Sequence, residues 1–141
     1  MTVSSISAWH YPGARWWKFD LHTHTPISDD TPWHRLVGTP QELTPEQWLF
    51  GYMSVGIDCV AVTDHNSGAW VDELKSAYAS MRAANLQGFR ELHLFPGVEI
   101  SVSSGFHLLA IFDPAQTTAD IDTLLGKVDY SGTRGGPQPL P

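Results

Sequence analysis

Three scarcities in this 141-residue chain each exclude a class of protein. The single cysteine, Cys59, cannot form a disulfide within the chain, so a disulfide-stabilised scaffold is excluded. No run of about 18 apolar residues is present, which predicts that no segment spans a membrane. The N-terminus also lacks the charged-then-apolar pattern of a secretory signal. We therefore expect a cytoplasmic protein without a membrane partner.

Basic residues are also scarce, since Lys plus Arg total 8 against 15 Asp plus Glu, for a formal net charge of -7. An extended positive surface for nucleic acid is therefore not available from this segment alone. Bound metal ions can reverse the local sign in an acidic chain, so phosphate esters remain possible substrates. The chain is 42% hydrophobic and 11% aromatic, which predicts one folded domain with a core.

The apolar pattern predicts the element order β-α-β-α-β-β-α. The predicted strands cover residues 16–21, 57–63, 92–100 and 106–112, with a break at Pro96-Gly97 in the third. The predicted helices begin after Thr44, near Trp70 and after Thr117, and Thr44 with Gln47 has the pattern of a capping box. Strands that alternate with helices favour a parallel sheet or barrel, and thus the α/β class.

The chain divides into three stretches. Residues 1–15 have no periodic pattern and are interpreted as a lead-in segment. Residues 16–130 carry all the predicted strands and helices and form the predicted domain. Residues 131–141 are rich in glycine and proline, cannot continue a helix, and are predicted to be disordered.

His22 and His24 are the first candidate metal ligands. They lie two residues apart at the end of the first predicted strand. Side chains at positions i and i+2 of a strand point to the same face, so both imidazoles can converge on one ion. Imidazole is a common ligand of zinc, iron, nickel and similar ions. The alternative is a polar strand end that binds nothing.

Two more candidate ligands follow a turn or a strand. Asp29 lies five residues after His24, and its carboxylate could fold back over the strand end. A loop-capping aspartate is the alternative for this position. His65 follows the buried apolar strand 57–63, directly after Asp64. Active sites of parallel α/β folds collect at such strand ends.

Glu99 and His107 complete the candidate set. Glu99 interrupts an apolar strand, and a buried carboxylate without a partner is costly, so a metal is a natural partner and two ions could share it. His107 begins another apolar strand, where a core histidine with satisfied hydrogen bonds is the alternative. The other histidines do not fit this pattern and are interpreted as surface or structural: His10, His34 and His93.

Taken together, these motifs resemble the PHP (polymerase and histidinol phosphatase) family. The resemblance runs from about residue 18 to 113. Its motifs are Asp-Leu-His-Thr-His at 20–24, Ser-Asp at 28–29, Val-Thr-Asp-His-Asn at 62–66, Pro-Gly-Val-Glu-Ile-Ser at 96–101 and His-Leu-Leu at 107–109. Such linked motifs are far more specific than the His-x-His pair alone. The resemblance implies a partial, distorted (β/α)7 TIM-like barrel of the PHP type, of which this chain is the N-terminal half.

The resemblance also implies a ligand set. His22 and His24 would bind a first ion, Glu99 would bridge the first and second ions, and His107 would bind the second. Asp29 and His65 would bind a third ion. Asp20 and Asp64 would orient the histidines or the loop. The cofactors implied are Zn, Mn or Fe, with up to three ions in a complete domain.

This chain departs from the family after His107, because no histidine follows and the family's later ligands are missing. The predicted domain is therefore incomplete and lacks the later barrel strands. The sequence before the first motif, residues 9–17, resembles PHP domains that are fused to a C-terminal ATPase module. Such a module is an expected partner in a full-length protein.

The predicted function is metal-dependent hydrolysis of a phosphate ester, including an ester in a nucleic acid or a nucleotide, by metal-activated water. Glu99 and His65 are the predicted catalytic residues in addition to binding metal. Two alternatives stay open. One is a non-catalytic metal-binding or regulatory module of a larger ATPase-containing protein. The other is an amidohydrolase-type metal hydrolase, which also begins with His-x-His on its first strand.

Overall fold

The structure, a computed structural model, describes residues 14–28, 43–130, 132 and 134–136. Within these residues, four strands and three helices follow one another in the predicted β-α-β-α-β-β-α order. They are β1 (Phe19–Thr23), α1 (Pro45–Ser54), β2 (Cys59–Val62), α2 (Val71–Ala83), β3 (His93–Ser101), β4 (His107–Ile111) and α3 (Thr118–Lys127). The α/β class predicted from the sequence is thus confirmed.

The strands form one mixed sheet in the order β1-β2-β3-β4. The first three strands are parallel, and β4 pairs with β3 in the antiparallel direction. The sheet is curled like half of a barrel. Parallel strands bring their carboxyl ends to one edge, and β4 begins at that same edge, where His107 pairs with Ser101. Residues that end β1, β2 and β3 therefore lie close to the residue that begins β4.

The core fills the space between one face of the sheet and the helices. Apolar side chains alternate along β3, where Leu94, Val98 and Ile100 belong to the core. Because successive side chains of a strand point to opposite faces, Glu99 points away from this core. Buried side chains of all three helices complete it: Trp48, Leu49, Met53, Val71, Leu74, Ala77, Met81, Ile121 and Leu125.

Helix α1 begins as the sequence predicts. Thr44 caps its N-terminus, its hydroxyl accepting from the Gln47 backbone N–H at 3.3 Å. The Gln47 side chain accepts in return from the Thr44 backbone N–H at 2.9 Å. After the helix, Gly56 takes a left-handed φ of 78°, which turns the chain toward β2. The capping box therefore sets where the first helix begins.

The predicted break at Pro96-Gly97 was wrong, because β3 runs without interruption through both residues. Pro96 lies just beyond the last pair of the β3–β4 ladder, Gly97 with Ile111. Because proline has no backbone N–H to donate, the pairing of β3 with β4 ends at this point, while β3 itself continues. A Cβ at Gly97 would lie 2.9 Å from the Val62 carbonyl oxygen and 3.0 Å from that of Ala110. Glycine thus lets both neighbouring strands approach.

Both outer strands of the sheet expose apolar side chains. On β1 these are Phe19 and Leu21, and on β4 they are Leu108, Leu109 and Ile111. A complete barrel would cover such edges by further strands. In the part of the chain that the structure describes, no helix is long and apolar enough to cross a membrane.

Candidate metal centre

The end of β1 brings His22 and His24 together. Their Nε2 atoms lie 3.2 Å apart, and both rings are tilted toward each other with centroids 5.2 Å apart. The register of β1 against β2 shifts between Asp20 and Thr23, so His22 lies within an irregular stretch of the strand. The indole N–H of Trp48 donates to the His24 carbonyl oxygen at 3.1 Å, which ties this strand end to α1.

Glu99 lies at the middle of the site. Its Oε2 atom is 2.9 Å from His22 Nε2 and 2.9 Å from His24 Nε2. The same oxygen is 3.5 Å from His65 Nδ1, and its Oε1 atom is hydrogen-bonded to His107 Nδ1. The Glu99 side chain is 3% exposed. One buried carboxylate is therefore surrounded by four imidazoles.

These donors form two candidate groups that share the carboxylate. The first cluster is His22, His24 and Glu99, and the second cluster is His65, Glu99 and His107. In each group the ligand atoms lie within 4.8 Å of one another. The resemblance assigns His65 to a third ion together with Asp29, whereas the structure places His65 beside Glu99 and His107. Asp29 lies outside the described residues.

The donor set fits a divalent ion. Bonds of about 2.0–2.1 Å to each ligand place neighbouring ligand atoms about 3 Å apart at octahedral angles and about 3.4 Å at tetrahedral ones. The separations between Glu99, His22 and His24 are 2.9, 2.9 and 3.2 Å. Imidazole nitrogen with carboxylate oxygen suits zinc, iron and manganese. His22 and His107 are about half exposed, so the centre is open on their side.

The pKa of Glu99 is lowered by its neighbours. Burial alone would raise it, because a buried charge loses its hydration. Hydrogen bonds with His22 and His107, and the charge of His65, outweigh this effect and hold the pKa below its usual range. Glu99 is therefore kept in the ionised form that a metal ligand requires.

Asp64 supports the centre through the loop that follows β1. Its buried carboxylate accepts from the Thr25 backbone N–H at 2.6 Å, the Thr25 hydroxyl at 2.7 Å and the Ser28 hydroxyl at 2.8 Å. Burial raises its pKa, although these hydrogen bonds oppose the shift. Of the two predicted orienting residues, Asp64 holds the loop after β1. Asp20 accepts only a long contact of 3.5 Å from the His22 backbone N–H.

Of the histidines outside the two clusters, the structure describes His93. His93 begins β3, at the opposite end of the sheet from Glu99, where its ring meets the edge of Trp17. His10 and His34 lie outside the described residues. Sequence reasoning missed the supporting roles of Thr25 and Trp48, because each acts on a partner far along the chain and neither carries a local motif.

No protein-family model matches the chain, and no curated protein matches it either. Among solved structures, the chain is similar to a protein of Bifidobacterium adolescentis described as a "putative metal-dependent phosphoesterase". The two are 27% identical with a TM-score of 0.49, over 79% of this chain and 33% of that one. The chain thus spans about a third of the length of that protein. Its candidate chemistry therefore has to be judged from its own side chains.

Proposed function

We propose that this chain is the metal-binding part of a PHP-type phosphoesterase, which hydrolyses a phosphate ester. The observation that carries the proposal is the buried Glu99 carboxylate at the meeting point of two histidine clusters. A carboxylate with two oxygens can serve two ions, with one oxygen facing His22 and His24 and the other facing His107. Paired ions at a short spacing suit in-line displacement at phosphorus.

The chain's own residues would divide the work. His22 and His24 would hold one ion and His107 with His65 a second, while Glu99 would be a ligand shared by both clusters. The chemistry that a bound divalent ion supplies is activation of water near neutral pH and neutralisation of phosphate charge. Asp64 would keep the loop at residues 25–28 in place over the centre. No serine or cysteine nucleophile is needed for this route.

The substrate class follows from the openness and charge of the centre. The half-exposed rings of His22 and His107 leave a side where an extended substrate could approach. In a chain of net charge -7, bound cations are what would attract a phosphate anion to this edge. We therefore propose a phosphate ester as substrate, with a nucleotide or nucleic acid strand as the candidate source.

The test is hydrolysis of a chromogenic phosphodiester and a phosphomonoester by the purified chain loaded with Mn²⁺, Zn²⁺ or Fe²⁺. Activity should disappear with a chelator, return on addition of metal, and be lost in Glu99→Gln. Glu91→Gln is the matched control, because Glu91 lies near the other end of β3 and pairs with Arg82 at 3.2 Å. Hydrolysis of an amide or a lactone instead of phosphate esters would favour the amidohydrolase alternative.

A second candidate function is a non-catalytic metal-binding module, within a larger protein that carries an ATPase. The observation that favours it is the ligand count, since the described residues supply three ligands to each cluster and Glu99 is shared. A catalytic zinc site commonly uses three protein ligands of its own and an open position. Tight metal binding without hydrolysis of any ester would support this module over the enzyme.

A further inference from the structure

Residues 134–136, here called the clamp segment, lie against the loop that follows β2. The Gly135 backbone N–H donates to the His65 carbonyl oxygen at 2.9 Å. The Arg134 guanidinium donates to the Asn66 carbonyl oxygen at 3.2 Å, and the Asn66 side-chain amide donates to the Gly136 carbonyl oxygen at 3.1 Å. Three hydrogen bonds therefore join this segment to His65, a residue of the candidate centre, and to its neighbour Asn66. The sequence alone predicts disorder over residues 131–141, because this stretch is rich in glycine and proline and cannot continue a helix.

Gly135 fits this place because it has no side chain. Its φ is +83°, in the left-handed region that favours glycine. A Cβ at this position would lie 2.2 Å from the Ile27 carbonyl oxygen, which is backbone and cannot swing aside. Ile27 belongs to the loop after β1. Gly135 is therefore wedged between the loop after β1 and the loop after β2.

Arg134 anchors the clamp segment to the last helix. Its guanidinium lies 3.2 Å from the Asp122 carboxylate on α3 and 5.6 Å from the centroid of the Tyr130 ring. Tyr130 also forms a hydrogen bond with the side chain of Asn66. The side chains of Arg134 and Tyr130 thus connect Asn66 to α3 and to the residues that follow it.

His65 is held from both sides of its peptide unit. Its N–H donates to the Ser28 hydroxyl at 3.1 Å, and its carbonyl accepts from Gly135. The next residue, Asn66, donates its N–H to the Glu99 carbonyl oxygen at 2.9 Å, in a left-handed conformation with φ of 48°. The His65 side chain, 2% exposed, has little freedom to compensate if its backbone moves.

We propose that the clamp segment is a positioning element for the second cluster, with Gly135 setting where His65 lies relative to Glu99 and His107. The inference rests on the proposed function, since it assumes that this cluster binds an ion. The first cluster is positioned differently, through β1 and the bond from Trp48 to His24. Disturbing Gly135 should therefore weaken the second ion and spare the first.

The experiment compares Gly135→Ala with Gly88→Ala in the full chain. Gly88 has φ of +86°, so both variants carry the same backbone strain, but its nearest neighbour is Phe50 Cε1 at an ordinary 3.8 Å. The chain is titrated with Co²⁺, and bound metal is measured by the visible absorption of Co²⁺ and by elemental analysis. Wild type and Gly88→Ala should each bind two ions per chain. Gly135→Ala should keep one ion and bind the other at least tenfold more weakly.

A second variant and a metal-free readout keep the inference testable. Arg134→Gln leaves Gly135 in place but removes the ion pair to Asp122, and it should produce a smaller loss at the same ion if Gly135→Ala does not fold. Histidine ring NMR of the metal-free proteins should show His65 shifted in Gly135→Ala and His22 unchanged.

The proposed role of the clamp segment would be refuted if Gly135→Ala bound both ions as wild type does. It would also be refuted if both glycine variants lost metal equally, or if the His65 resonances of Gly135→Ala did not move. A wild-type chain that binds metal and hydrolyses no phosphate ester would instead contradict the proposed function and leave the clamp intact.

Discussion

Two carboxylates, the buried Glu99 near the carboxyl end of β3 and the partly exposed Asp58 just before β2, show how the chemistry of its partners decides what a carboxylate does. Glu99 lies at the carboxyl end among four imidazoles. Asp58 lies at the amino end, where it accepts from the Lys18 backbone N–H at 2.9 Å and from Arg90 at 2.7 Å. Arg15, 3.6 Å from Asp58, completes that end.

The pKa of each carboxylate is lowered, but by groups of different kinds. For Asp58 the largest cause is the backbone hydrogen bond from Lys18, with Arg90 adding to it. Guanidinium groups stay protonated at any working pH and cannot bind a metal. Imidazole can release its proton and offer a lone pair. The same anionic charge is therefore a structural ion-pair partner at one end of the sheet and a candidate metal ligand at the other.

The largest expected effect is the difference in bound metal between Glu99→Gln and Asp58→Asn. Glu99→Gln removes the charge shared by both clusters, so the metal affinity of both should fall. Loss of a group that only orients a metal ligand lowers metal affinity by about 10- to 100-fold, and loss of Glu99 itself should cost at least as much. Asp58→Asn should bind metal as wild type does. Calorimetric titration with Mn²⁺ and Zn²⁺ measures both. Equal losses in the two variants would show that general stability, not ligand identity, controls binding.

The second expected effect is a difference in metal content between variants of two histidines, His22 and His93, at opposite ends of the sheet. His22→Ala should remove the ion of the first cluster, because only His24 and Glu99 would remain there. His93→Ala should keep the wild-type metal content, since His93 begins β3 at the other end of the sheet. Elemental analysis after gel filtration gives the stoichiometry. Loss of metal in His93→Ala would refute the distinction between the two ends.

The smallest expected effect concerns acid stability at the Asp58 end. The pKa of Asp58 is lowered in the folded state, so its contribution to the free energy of unfolding is present above the unfolded pKa. That contribution is lost as pH falls through the lower folded-state pKa. Urea unfolding of the metal-free protein should thus show a lower midpoint for Asp58→Asn at neutral pH. The difference should shrink in acid, and a constant difference would contradict the assignment.

The order of strands and helices could be predicted from the sequence, because the periodicity of apolar residues and the helix-capping motifs are local signals. The residues at which strands begin and end could not be predicted, since they depend on which strands pair. The first strand was predicted at residues 16–21 and lies at Phe19–Thr23. Trp17 instead packs against His93, with the Arg15 guanidinium 3.5 Å from its ring centroid. The aromatic residues correctly indicated a strand near this segment, but the Trp17 ring makes its contacts outside the sheet.

The candidate site was predictable where its ligands follow strands. His22, His24, His65, Glu99 and His107 all lie together, as the rule that parallel strand ends meet at one edge leads one to expect. The allocation of these residues to particular ions stays a prediction. His65 lies beside Glu99 because Asn66 bonds to the backbone of β3, and that pairing joins residues more than thirty positions apart.

The bond between Trp48 and His24 gives the molecule a built-in optical reporter. The indole of Trp48 is 2% exposed and its N–H is 3.1 Å from the His24 carbonyl, whereas Trp16 is 95% exposed. A water-soluble quencher such as iodide would reach Trp16 and leave Trp48 emitting. The fluorescence that survives the quencher would therefore include emission from an indole that is hydrogen-bonded to the strand end holding His24. Ion loading could then be followed in solution without a dye or a label.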